Sequence, residues 1–458
     1  MSESYQDETV PKNIQLESQI GWIDPPVDII FTPSGNEYFI TAPRYDGSGK
    51  TFTQVAIVDA SIEINPPIQN GQMLYLTVNT VDVYKIVSFS NDTVYFLASP
   101  IEKPEERHLY SVTTNMHAYD FREMTCLTCN VSEVCRYVDV NFGHAGQYYL
   151  LACLGPDVPF YSLVEAPDML VATIEDNDRL RQHLSTKLLP EYEYMNITLP
   201  DENYVLAKTI LPPVLDMEEE IKYNVLIIPN NEIGDQSVTS KFYIGWEEVL
   251  SSLRSIVIAK IDTSGSSGRG EEWLKSIRGQ IGARESDEIL ASMRYFRTLH
   301  YVTEKMGISG QSYGGHVALS TLNSDFNDVI FCGTALSPIV DYSYMNSYVH
   351  TKYNIPAGYH ISQGPKLLKS ATNMKKHSLY LLHGTLNDRV QFQHTAQYIK
   401  SLVDAGVSHM QQIYPDVRNI FDTHLSHVVN NIEHFYIDCF ELDPNSDPIY
   451  IVEEEEEE

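Results

Sequence analysis

Gly310-Gln-Ser-Tyr-Gly314 is preceded by an apolar run at 305–309 and followed by a helix-forming stretch, Gly315-His-Val-Ala-Leu-Ser-Thr-Leu322. A G-x-S-x-G turn between a strand and a helix lifts a serine hydroxyl clear of the end of a sheet. That demand fixes most of the local topology. The flanking sequence agrees with it from Tyr192 onward. Apolar strand candidates run over 223–229, 255–262, 305–309, 331–336, 379–383 and 410–414, with amphipathic helices at 285–299, 391–402 and 425–440 between or after them. Strands alternating with helices predict a parallel sheet covered on both faces. We therefore expect an α/β-hydrolase domain over 191–440.

The first 190 residues read differently. Phe31-Thr-Pro-Ser-Gly-Asn-Glu-Tyr-Phe-Ile40, Phe89-Ser-Asn-Asp-Thr-Val-Tyr-Phe-Leu97 and Phe142-Gly-His-Ala-Gly-Gln-Tyr-Tyr-Leu-Leu151 each end one strand, turn tightly and open an aromatic strand. Turn and strands recurring at a period of about 55 residues suggest propeller blades. A β-sandwich with coincidental turns is the other reading. Three repeats fall short of the ~4–8 blades that close a propeller. The segment 14–190 is thus expected to be the C-terminal part of an incomplete all-β propeller whose earlier blades precede this chain. Residues 1–13 are expected to form a disordered start, and 441–458 an acidic tail ending in the run Glu453 to Glu458.

The balance of 62 acidic against 31 basic residues, net −31, repels nucleic acid and anionic lipid. Hydrophobic content of 43% is that of core-forming material. No apolar run of ~18 residues spells a transmembrane helix, and the polar, acidic start is no signal peptide. The six cysteines (Cys126, Cys129, Cys135, Cys153, Cys332, Cys439) and three sequons at Asn91, Asn130 and Asn196 point to the secretory pathway. The expected location is the extracellular face of the plasma membrane or the medium, with signal or anchor outside this chain. Cys126-Leu-Thr-Cys129 would also suit half a zinc site, but no second CxxC or paired histidine at finger spacing follows. Neither metal nor cofactor is expected.

Gly310-Gln-Ser-Tyr-Gly-Gly315, Leu382-His-Gly-Thr385 and the six cysteines resemble the dipeptidyl-peptidase-IV family of prolyl-oligopeptidase-type serine peptidases. The resemblance covers roughly 21–440. It implies disulfides 126–129, 135–153 and 332–439, and a homodimer formed through the helices at 391–402 and 425–440. The stretch 428–437 reads equally well as ordinary core packing. The family's paired glutamates, which hold a substrate's amino terminus, lie upstream of anything in this chain.

Placed on the family's catalytic pattern, Ser312 takes the nucleophile position. The acid position of H-G-x-x-D-x-x-V is filled by Asn387, with Asp388 one residue out of place. The base position after the last strand is filled by Asn419, within Asp416-Val-Arg-Asn419-Ile. An amide takes no proton at neutral pH. His424 and His427 follow on a segment about two residues shorter than the family's. For the oxyanion, the Tyr313 backbone N–H survives, while Asn230 stands where the family has a tyrosine hydroxyl. The proline pocket is expected at Met345, Val349 and Arg389, the first two replacing tyrosines. Losing a triad base costs ~10⁶ in kcat and losing the carboxylate ~10⁴. The first alone is ~8 kcal/mol of barrier. The expected function is that of a non-catalytic dipeptidyl-peptidase-like protein acting on a peptide or membrane-protein partner, a channel-type partner by analogy only. The alternative is an active serine-type dipeptidyl peptidase releasing X-Pro or X-Ala dipeptides, with His424 or His427 as base and Asp388 as orienter.

Overall fold

The computed structural model describes residues 28–45, 49–59, 73–78, 80–114, 124–213, 215, 222–353 and 367–443. The expected disordered start lies outside them, as does the acidic tail beyond residue 443. The chain forms two compact units. One comprises the chain up to Asn177 with the short segments Ser240–Phe242 and Gly268–Glu272; the other comprises the remainder.

The first unit is three four-stranded antiparallel sheets in succession. The first holds β1 (Ile30–Phe31), β2 (Glu37–Tyr45), β3 (Thr51–Asp59) and β4 (Met73–Tyr75); the second holds β5 (Val81–Ser90), β6 (Thr93–Pro100), β7 (His108–Thr113) and β8 (Met124–Cys126). The third holds β9 (Cys135–Phe142), β10 (Tyr148–Pro156), β11 (Phe160–Glu165) and β12 (Met169–Glu175). Each repeated sequence pattern is the hairpin joining a sheet's first two strands. The turns use the left-handed region: Gly35, Gly146, and Asn91 with Asp92 all have positive φ. Two consecutive positive φ values match the right-handed twist of the flanking strands, which favours asparagine and aspartate there.

The sheets stack as blades because alternate residues of a strand face opposite sides. Val94, Phe96 and Ala98 of β6 join Phe39, Val55 and Ile57 of the first sheet in one core. Tyr95 and Leu97 of the same strand join Val138, Val140 and Leu151 of the third sheet in the next. Cys126–Cys129 and Cys135–Cys153 are disulfides.

The second unit opens with α1 (Asp178–Leu184), then β13 (Glu191–Thr198), β14 (Tyr204–Leu211), β15 (Tyr223–Pro229), α2 (Trp246–Arg254), β16 (Val257–Asp262), α3 (Glu271–Lys275, its first two residues counted with the first unit) and α4 (Ala283–Phe296). It continues with β17 (Val302–Gln311), α5 (Tyr313–Ser324), β18 (Ile330–Leu336), α6 (Ser347–Lys352), β19 (Ser378–Gly384), α7 (Gln393–Asp404), β20 (Met410–Tyr414) and α8 (Ile420–Phe440). The eight-stranded sheet runs β13-β14-β16-β15-β17-β18-β19-β20. Six strands from β16 to β20 are parallel, as expected. The edge is not: β14 pairs antiparallel with both β13 and β16, which corrects the expectation of a purely parallel sheet. The short 199–203 link between β13 and β14 explains it, because a parallel return needs a crossover of a dozen residues or more.

The central strand β15 is buried along its whole length. Val225 and Ile227 face one core and Leu226 and Ile228 the other. Each such side chain contributes about 1.5–3 kcal/mol on burial. Helix α8 starts five residues before the expected Leu425, with non-helical φ/ψ at His424. Its Val428, Ile432, Phe435, Tyr436 and Phe440 pack into the second core. Cys439 near its end is bonded to Cys332 of β18.

Candidate functional site

Ser312 is the single residue between β17 and α5, with φ 55° and ψ −112°. That conformation strains a non-glycine residue and points its side chain out of the turn. Glycines make it possible. A Cβ on Gly310 would lie 2.1 Å from the Gly314 carbonyl oxygen, and one on Gly314 would lie 2.7 Å from the Asn230 carbonyl oxygen. The elbow is braced from below by Tyr313. Its hydroxyl donates to Glu285 Oε1, and Glu285 Oε2 accepts the Gly282 N–H at the start of α4. Burial pushes the Glu285 carboxyl up to about 7.

Hydrogen bonds tie the elbow to the ends of the neighbouring strands. Ser312 N–H donates to the Leu336 carbonyl and Ser337 N–H to the Leu382 carbonyl. Thr385 N–H donates to the Tyr414 carbonyl and Leu386 N–H to the Val417 carbonyl. The loops carrying Ser312, Asn387 and Asn419 therefore follow β17, β19 and β20 at one edge of the sheet. Among the described residues, no hydrogen bond joins the three side chains, and Ser312 Oγ has no partner.

The two asparagines are engaged elsewhere. Asn387 Oδ1 accepts the N–H groups of Arg389 (3.1 Å) and Val390 (2.9 Å), closing its own turn. Asn419 is the N-cap of α8: Oδ1 accepts the Phe421 N–H at 3.2 Å and Nδ2 donates to Asp422 Oδ1 at 2.8 Å. The substitute relay is not assembled either. Asp388 pairs with Arg418 at 3.5 Å. His424 Nδ1 contacts the Thr423 hydroxyl, and His427 Nδ1 the Tyr414 hydroxyl at 3.0 Å.

The oxyanion donors are also spoken for. Tyr313 N–H donates to the Asn231 carbonyl at 3.2 Å, and Asn231 Oδ1 accepts the Gln311 N–H at 3.1 Å. Asn230, expected as the second donor, instead sends its amide to the Asp235 carbonyl at 3.2 Å, within its own loop. Its side chain is too short and too buried to reach back over the elbow. Of the expected pocket residues, Met345 and Val349 pack partly buried against the core, and exposed Arg389 pairs with Glu232 at 2.6 Å. A cavity of about 770 Å³ opens beside the elbow, lined by Gln311, Asn231, Asn419, Trp246, Phe421 and Leu425 among others. Ser312, Asn387, Met345, Val349 and Arg389 do not line it.

Sequence reasoning missed Asn231 and Glu285. Asn231 carried no signal, since its role depends on the path of the loop after β15. Glu285 sits three residues after Gly282, a spacing that could have been read as a helix start.

A propeller-bladed unit and an α/β-hydrolase unit with a serine elbow, in one chain, define a protein of the serine-peptidase-like class. Two family models match: the prolyl oligopeptidase family over residues 242–442, and the dipeptidyl peptidase IV N-terminal region over 3–160. The chain belongs to the dipeptidyl-peptidase-IV family. Similar curated proteins include the inactive dipeptidyl peptidase 10 of Mus musculus, 30% identical over 419 residues, which covers 90% of this chain and 51% of that protein. Dipeptidyl peptidase 4 of Sus scrofa is 27% identical over 437 residues, covering 93% of this chain and 54% of that protein. The chain spans about half the length of the curated relatives it matches. The crystal structure of Porphyromonas gingivalis dipeptidyl peptidase 4 matches with a TM-score of 0.78 at 23% identity, covering 90% of this chain and 55% of that one. That likeness supports the fold.

Proposed function

We propose that this chain is a non-catalytic member of its family, acting through protein–protein interaction on a peptide or membrane-protein partner. One observation carries the reading: the side chains at the acid and base positions, Asn387 and Asn419, are both spent on backbone capping, and Ser312 Oγ has no proton acceptor among the described residues. Engagement of the Tyr313 N–H by the Asn231 carbonyl supports it, because that N–H is the surviving oxyanion donor. Similarity to an inactive dipeptidyl peptidase 10 agrees with this reading, whereas similarity to dipeptidyl peptidase 4 favours the alternative of an active exopeptidase.

Secretory-pathway residence is part of the proposal, supported by the three disulfides and by sequon asparagines that are all exposed. Among the described residues, no helix is long and apolar enough to cross a membrane. Homodimerisation through the outer faces of α7 and α8 is part of the proposal; Val403 of α7 is exposed. The test is hydrolysis of a Gly-Pro chromogenic substrate by the purified protein. No turnover above that of Ser312→Ala is expected. Turnover abolished by Ser312→Ala would overturn the reading.

A further inference from the structure

The second blade carries a cluster of ligating atoms far in sequence from the elbow. A ring nitrogen of His108 and the sulfurs of Cys126 and Cys129 all lie within 4.8 Å of one another. Strand pairing produces this arrangement: Tyr110 of β7 stands opposite Cys126 of β8, and Leu127 N–H donates to the Leu109 carbonyl. His108 is thereby drawn alongside the Cys126-Leu-Thr-Cys129 turn.

The imidazole is oriented as a ligand would be. His108 Nε2 lies 3.1 Å from Glu106 Oε2, so the proton sits on Nε2 and is donated to a carboxylate. A carboxylate behind a histidine is the usual outer partner of a metal-bound imidazole, fixing its tautomer and raising its basicity. Glu106 is itself held by Arg136 at 2.7 Å and is 8% exposed. The lone pair is then on Nδ1, 3.2 Å from the Thr128 hydroxyl. That hydroxyl oxygen accepts the Leu109 N–H at 2.9 Å, which leaves its hydrogen for Nδ1. One hydroxyl hydrogen of Thr128 is thus what meets Nδ1, the nitrogen left to coordinate.

In the structure the two sulfurs are bonded to each other. Of the three disulfides this one is the most open to reagents: Cys129 is exposed, whereas Cys135, Cys153 and Cys332 are at most 1% exposed. We infer that the Cys126–Cys129 disulfide is a reducible latch over a zinc site made by Cys126, Cys129 and His108. A dithiol reductant attacks Cys129 Sγ, forms a mixed disulfide, and closes on itself. It leaves as a cyclic disulfide and two electrons pass to the cysteines, which become thiols. Zn²⁺ then displaces both thiol protons to solvent and takes two thiolates and the imidazole, with solvent as fourth ligand. Two soft sulfurs with one nitrogen select Zn²⁺ over hard oxygen-seeking cations.

The test is Co²⁺ titration, as a spectroscopic stand-in for Zn²⁺, of the full chain before and after dithiothreitol treatment and removal of the reductant. One equivalent should bind with thiolate-to-cobalt absorption after reduction, and none before. Glu106→Gln, which keeps the side-chain volume, should weaken binding about 10–100-fold. His108→Ala should weaken it at least as much. Reduced protein that leaves Co²⁺ with its aqueous spectrum overturns the inference, as does undiminished binding by Cys126→Ser/Cys129→Ser, whose fold is checked by circular dichroism.

Discussion

At the scale of single residues, the site is an elbow kept and a relay given over to other work. Asn419 stands where the family pattern has its base, yet it caps α8 through the Phe421 N–H. Asn419→Ala should therefore destabilise the protein by about 1 kcal/mol in chemical denaturation, while Asn419→Asp, which retains an acceptor at the positive end of the helix, should be near neutral. Equal losses for the two would contradict the capping role. Glu285 offers a second residue-level test. Burial raises its carboxyl from an ordinary value near 4.5 to about 7, so the folded state holds a proton that the unfolded state releases between those values. Stability contributed by this group is present below pH ~4.5 and is lost as pH rises through 7, by about 3 kcal/mol at most. Glu285→Gln stays neutral throughout. Its melting temperature relative to the wild type should climb between pH 4.5 and 7; a flat difference would argue that Glu285 is not buried as a neutral acid. These capping and bracing roles were invisible in sequence, where an asparagine in an acid position reports only what is missing.

Among elements, the parallel strands and their helices were legible because period and burial coincide: β15 to β20 are short apolar runs separated by amphipathic segments. The antiparallel pair β13 and β14 was not separated from that pattern, since strand direction is set by the length of the connection and not by hydrophobicity. Helix α8 was read as starting at Leu425 because its first turn mixes apolar Ile420 and Phe421 with exposed Asp422 and Thr423, which breaks the periodic pattern. The missing turn is explained by the Asn419 cap and the break at His424. The Cys332–Cys439 bond ties α8 to β18 across a sequence separation of 107. A loop of that length stabilises by about 5 kcal/mol in the chain-entropy model. Cys332→Ser/Cys439→Ser should lower the denaturation midpoint of the hydrolase unit accordingly. A loss below about 1 kcal/mol would mean that core packing by Phe435, Tyr436 and Phe440 alone secures the helix.

At the scale of the whole molecule, the chain is two compact units, and each was signalled by its own sequence pattern. The repeat of about 55 residues foretold the blades because each repeat is one hairpin with its own turn chemistry. The strand–turn–helix context of Gly310 to Gly314 foretold the hydrolase sheet. Activity could not be read from that motif, since it depends on where loops from three strand ends place their side chains. Those loops are stitched by backbone hydrogen bonds into an arrangement in which Asn231 occupies the Tyr313 N–H and, among the described residues, no imidazole is hydrogen-bonded to Ser312. Ser312 is on these grounds an unactivated serine, and covalent labelling by a fluorophosphonate probes it without needing substrate-anchoring residues. No adduct on Ser312 is expected by mass spectrometry at neutral pH. A stoichiometric adduct on Ser312, absent from Ser312→Ala, would contradict it.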